Sequence, residues 1–169
     1  RVQAETGRIF SVLYSEHFEN RATVKAGELI AAGAIGKVVS TAGFGPHRLR
    51  APTRPQWFFE RARYGGILVD IASHQCEQFL FFTNSMTADI LSAKVSNRAN
   101  PQWPGLQDSG DIHLCTDDAD GFIRVDWFTP DGLPSWGDGR LFITGTEGAI
   151  EIRKNVDIAG RAGGDHLFL

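Results

Sequence analysis

Asp70 and His74 stand four residues apart in the stretch Gly65-Gly66-Ile67-Leu68-Val69-Asp70-Ile71-Ala72-Ser73-His74-Gln75-Cys76-Glu77, and Glu77 follows three later. On a helix each residue turns by about 100°, so these three side chains fall within about 60° of one another. Leu68, Ile71, Ala72, Phe79 and Phe82 take much of the opposite side, which a core would cover. An acid and a base held by one rigid backbone can act on the same substrate atom, which is how a proton-transfer site is assembled. The same spacing also serves a plain surface hydrogen bond worth roughly 0.3 kcal/mol. A metal competes for the same residues, yet a closed zinc site needs about four ligands. Cys76 points to another side and His113 falls on an expected strand, so no metal is expected.

Several elements must position this helix. Ile9 to Tyr14 (IFSVLY) is a short apolar run rich in β formers and reads as a buried strand. Glu19 to Ala34 has helical period, with Ala22, Ala26, Leu29 and Ile30 on one face and Gly33 and Gly36 as the stop. Lys37 to Phe44 reads as a second strand. Gly45 to Tyr64 holds Pro46, Pro52 and Pro55 with five arginines, and reads as a long irregular loop of the functional kind. Gly65-Gly66 allows a tight turn into a helix from Ile67 to Thr83. Strands are expected over 88–96, 109–116, 121–129, 140–146 and 149–153. Asp117–Gly121 makes a hairpin turn in which Gly121 takes positive φ, and Thr146-Glu147-Gly148 makes a second. Within 122–128 the aromatic and charged residues Phe122, Arg124, Asp126 and Phe128 share one face, while Ile123, Val125 and Trp127 share the other. A helix-bearing first half before a run of antiparallel strands is α+β.

The 169 residues are 42% hydrophobic and 22% charged with net charge −3, an ordinary globular balance. One domain, 1–169, is expected, with both ends cut from a longer polypeptide. The charge leaves no basic footprint for nucleic acid and no polybasic membrane patch. Two unpaired cysteines, Cys76 and Cys115, and the lack of any address signal point to the cytoplasm.

Four stretches, in order, carry a family resemblance: Leu13–Phe18 (LYSEHF), Glu28–Val38 (ELIAAGAIGKV), Gly65–Glu77, and Phe142–Glu151 (FITGTEGAIE). Together they resemble the C-terminal, substrate-binding domain of the glucose–fructose oxidoreductase / inositol dehydrogenase (Gfo/Idh/MocA) family. The resemblance implies an open, mainly antiparallel sheet with helices on one face. It implies a parent enzyme that uses NAD or NADP, bound mainly by an N-terminal Rossmann domain absent from this chain. No cofactor-binding residue is therefore expected here, and the chain alone should be inactive. The substrate would be a sugar, a polyol or a related hydroxylated small molecule. A homodimer or homotetramer would form through the open sheet face.

His74 is then the expected base and Asp70 its orienting partner, with Glu77 supporting them from the next turn and counted with the substrate-binding residues. His17, Arg48, Trp57 and Tyr64 join the substrate-binding set, and His47 and Arg54 are weaker candidates to clamp a hydroxyl or carboxylate. Glu16 stands where relatives handling polyols often carry another polar or basic residue, which leaves the substrate open. Trp103, Trp127 and Trp136 read as core or subunit contact. The alternative reading is a non-catalytic ligand-binding or regulatory protein that kept the fold.

Overall fold

The computed structural model describes residues 1–169. Its strands are β1 (Val38–Pro46), β2 (Asp89–Ser96), β3 (Ser109–Cys115), β4 (Asp120–Asp126), β5 (Arg140–Gly145), β6 (Ala149–Arg153) and β7 (His166–Phe168). They form one open sheet in the order β2-β3-β4-β1-β5-β6-β7. Every neighbouring pair is antiparallel except β1 and β4, which run parallel with Ser40 opposite Asp120. The helices are α1 (Val2–Thr6), α2 (Ser15–Phe18), α3 (Arg21–Ala31), α4 (Arg61–Tyr64) and α5 (Ser73–Thr83). The class is α+β, as the segment order implies.

The alternation in β4 sorts as expected. Ile123, Val125 and Trp127 are buried, whereas Arg124 and Phe128 face solvent. Two apolar clusters fill one side of the sheet. The first packs Ile67, Ile71 and Phe79 on Ile112, Ile123 and Val125. The second packs Ala22, Ala26 and Phe82 on Leu141, Ile143 and Ile150. Each fully buried Ile or Phe contributes about 1.5–3 kcal/mol relative to exposure, so this side holds the helices down. The other side stays open and presents Phe44, Phe122 and Phe142 as an aromatic row with ring centroids 6.1 and 6.2 Å apart.

The helix expected at 19–34 is α3, started by Asn20, whose Oδ1 accepts the Thr23 backbone N–H at 3.1 Å. Gly65 and Gly66 sit at φ 85° and 92°, which is the left-handed turn their sequence predicts. The expected long helix 67–83 begins differently. Leu68–Ala72 is a π-helical turn, and regular α-helix starts only at Ser73. It ends at Asn84 in the left-handed conformation, φ 51°.

Two expectations are corrected. IFSVLY is not a buried strand: Ile9 is 93% and Phe10 75% exposed, and neither pairs with the sheet. A strand needs a hydrogen-bonding neighbour, and the sheet's two edges, β2 and β7, lie elsewhere. Gly121 lies within β4 at ordinary φ rather than in the turn. Its missing side chain instead admits the Phe79 ring, since a Cβ there would lie 2.8 Å from Phe79 Cδ2 and 3.1 Å from Leu114 Cγ. Gly43 and Gly45 in β1 do the same for Gln75, which a Cβ would meet at 3.1 and 2.9 Å. These glycines let α5 lie close on the sheet. Gly121→Ala should therefore destabilise the fold by about 1–3 kcal/mol through overpacking, read as a lower urea midpoint with unchanged slope.

Candidate functional site

The chemistry gathers where the start of α5 meets the loop after β1. The π turn places Asp70 on an exposed shoulder and His74 half-buried one turn below. A π turn winds more widely than an α-helix, its bonds reaching five residues back. Protein packed on its inner side removes part of the water around Asp70 and pushes its carboxyl above the usual 3.8, although its outer edge is exposed. Arg54, His47 and His74 oppose that rise with their charge.

His47 stands beside this pair. It is half-buried just past the end of β1, its Nδ1 lies 3.1 Å from the Gly45 carbonyl, and loss of surrounding water lowers its pKa below 6.5. It feels Glu16 and Lys154 on one side and His74 on the other. Glu16 and Lys154 form an ion pair between α2 and the turn after β6. Together with Ser135, Trp136 and Asn155 these three residues line a hollow of about 160 Å³. Neither Asp70 nor His74 lines it; His47, which does, is the residue close enough to interact with His74. A larger recess of about 600 Å³ lies on the open sheet face, lined by Phe44, Arg124, Phe128, Arg140 and Phe142 among others, away from Asp70 and His74.

Arg54 has a fixed role. Its guanidinium lies 4.5 Å from the Phe58 ring centroid, 5.0 Å from Trp127 and 5.2 Å from Trp136, and its Nε donates to the Leu49 carbonyl at 3.0 Å. Burial lowers its pKa and Asp70 supports its charge. The cage holds a positive charge that acts on Asp70.

Asp70 and His74 lie close enough for their charges to interact and His17 pairs with Glu77, whereas Arg48 and Tyr64 are engaged elsewhere. Arg48 is buried, and its Nη2 donates to the carbonyls of Pro130, Asp131 and Leu133. It clasps the loop 130–133 rather than reaching a substrate. Tyr64 is buried, its hydroxyl accepting the Gln107 backbone N–H at 2.8 Å, so it too is committed internally. His17 is enclosed between Phe18 and Phe81, with centroids 4.3 and 3.9 Å away, and its Nδ1 meets Glu77 Oε1 at 2.8 Å. Trp57 remains exposed at 42%, beside Phe58. Trp136, expected in a core or interface, instead floors the Arg54 cage and the hollow. Lys154 escaped notice because Arg153-Lys154-Asn155 reads as a solvated turn, and nothing local predicts its reach to Glu16.

The GFO/IDH/MocA C-terminal domain model matches residues 23–151, and the chain belongs to that family. It superposes on an inferred oxidoreductase from Erwinia carotovora atroseptica with TM-score 0.89 and 49% identity, covering 96% of this chain and 49% of the other. Myo-inositol 2-dehydrogenase from Lactobacillus plantarum matches at 0.70 and 22% identity, over 89% and 44%. Levoglucosan dehydrogenase in complex with NADH and levoglucosan matches at 0.66 and 21% identity, over 83% and 39%. The last two share the fold. The chain spans half or less of the length of each of these structures. No curated protein matches it. No helix is long and apolar enough to cross a membrane.

The raised Asp70 pKa carries a testable sign. An ionised Asp70 is disfavoured in the fold, and this cost is absent below 3.8 and grows as pH rises through the higher folded value. Asp70→Asn should raise Tm at neutral pH, with the gain shrinking to nothing as pH falls to 3.8, in calorimetry across pH.

Proposed function

We propose that the chain is the single C-terminal, substrate-facing domain of a longer cytoplasmic oxidoreductase. In this reading the parent oxidises a hydroxyl of a sugar, a polyol or a related small molecule. The observation that carries it is the helix start where Asp70 and His74 stand together beside His47 and a polar hollow, in a chain of this family. The likeness to a dehydrogenase solved with NADH and its sugar supports a nicotinamide cofactor, NAD or NADP.

No strand of this chain runs through a glycine-rich turn into a helix, so these residues build no pyrophosphate cradle. The cofactor would be held mainly by the rest of the parent, which the double length of the relatives supports. When bound, a nicotinamide supplies the hydride acceptor. His74 takes the hydroxyl proton, because an imidazole titrates near working pH. Asp70 orients the ring or a neighbouring substrate hydroxyl and offsets the charge His74 acquires. Arg54, held in its cage, supports the ionised form of Asp70. Trp57, exposed near Arg54's cage, offers a wall for a ring.

The open aromatic face supports a second proposal, a homodimer or homotetramer closed through that face. Phe142→Lys should lower the sedimenting mass of the full-length protein; an unchanged mass would remove this face from the interface.

For catalysis, the full-length protein is mixed with NAD or NADP and a panel including myo-inositol and levoglucosan, and reduced nicotinamide is followed by absorbance. His74→Asn should cut kcat/KM about 10²–10⁴-fold while circular dichroism stays unchanged. Full activity in that variant, or no binding of either dinucleotide by the full-length protein, would sink the reading.

A further inference from the structure

Two buried polar atoms near the proposed base have no hydrogen-bond partner within the chain, His74 Nδ1 and Glu77 Oε2. They lie one turn apart on α5, where side chains three residues apart stand about 5–6 Å from Cβ to Cβ. Leaving a buried donor or acceptor unmet costs about 1–3 kcal/mol, and here one atom can donate what the other accepts.

The opposing element explains why they are aligned. Residues at the start of α2 face α5 as two rungs. Tyr14 meets the His74 ring edge-on at 5.8 Å, and His17 Nδ1 meets Glu77 Oε1 at 2.8 Å. Both rungs are three residues apart on both sides. The buried His17 ring stacks on Phe18 and packs at a tilt against Phe81. Phe81 in turn is seated against Gly27 of α3, where any Cβ would strike the ring. One carboxylate oxygen is thus engaged by His17, and the other is buried without a partner one turn from the base.

We infer that Glu77 is a positioning residue that holds two histidines at once, His17 through Oε1 and His74 through Oε2, the second contact direct or through one water molecule. This rests on the reading of His74 as the base. A carboxylate with two acceptors makes both rings carry their neutral proton on Nδ1. His74 then presents a bare Nε2 to the substrate hydroxyl. When that proton arrives, the imidazolium lies beside an anion already anchored from behind, the same logic by which a buried carboxylate orients a histidine base. Asp70 on the preceding π turn and His47 from the loop after β1 lie close enough to His74 for their charges to interact, while Arg54 acts on Asp70 and Glu16 and Lys154 act on His47. None of them occupies the Nδ1 side.

The test is nitrogen NMR of isotope-labelled histidine in the full-length protein without substrate or cofactor. His74 and His17 should both show the Nδ1–H form when neutral. In Glu77→Gln the amide offers one acceptor where the carboxylate offered two, so at least one ring should flip to Nε2–H. The His74 midpoint should also fall by about one pH unit. His17→Asn keeps a donor in the Nδ1 position and should leave the His74 form unchanged. With a turned-over substrate, Glu77→Gln should lower kcat/KM about 10–100-fold and move the acid limb of its pH profile downward by the same unit. A wild-type His74 carrying its neutral proton on Nε2 overturns the inference, even where Glu77→Gln does not fold. So does a folded Glu77→Gln with both rings as in wild type. Because the NMR needs no turnover, a parent that oxidises no polyol defeats the functional reading alone. Turnover with His74 in the Nε2–H form defeats this inference alone.

Discussion

Everything at the candidate site depends on how deeply α5 sits on the sheet. Gln75 presses on Gly43 and Gly45 of β1, and Phe79 presses on Gly121 of β4, so the helix crosses the sheet centre at backbone-limited distance. Side chains at those three positions would lift α5 and carry His74 and Glu77 away from α2. Strand interiors lose stability at glycine, and that cost is accepted where the helix must approach most closely. The apolar clusters on either side of this contact, around Ile123 and around Ile143, then lock the helix from both flanks.

Once α5 is seated, the loop after β1 is organised mainly by arginine, and its two best-placed arginines serve architecture. Arg48 closes the loop 130–133 through three carbonyls, and Arg54 is clamped among Phe58, Trp127 and Trp136. Lys154 is met by Glu16. Lys154, the lysine lining the polar hollow, is thus already paired, which suits a neutral hydroxylated ligand better than a carboxylate. His47 adds an uncharged imidazole between the hollow and the helix, because burial keeps its proton off at neutral pH.

The class of fold and the helix that carries the chemistry were legible in the residues themselves. Alternation in Phe122–Phe128 and the apolar positions Ile71, Ala72, Phe79 and Phe82 point to the buried faces that the structure shows. Less local features were not. Within the π turn at Leu68–Ala72, Leu68 packs near Gly110 of a distant strand, a contact that helical periodicity alone cannot find. The roles of His17, Tyr64 and Arg48 depended on partners forty or more residues away, namely Glu77, Gln107 and the loop 130–133. IFSVLY misled because apolar β formers signal a preference for strand, whereas a strand exists only where another offers its hydrogen bonds.

The parallel pairing of β1 with β4 shapes the order in which this molecule can assemble. The hairpins β3–β4 and β5–β6 join neighbours in sequence and can zip early. The central β1 waits for both, since Ser40 must find Asp120 and Ala42 must find Phe142 across most of the chain. Closing such long loops costs entropy before any contact rewards it, which slows folding. The helix bearing Asp70 and His74 lies between β1 and β4 in sequence, so it is enclosed by that final docking step. A nascent chain released before β5 emerges would therefore expose the sheet side that the helices cover and the unseated helix together, and would be a natural client for chaperones.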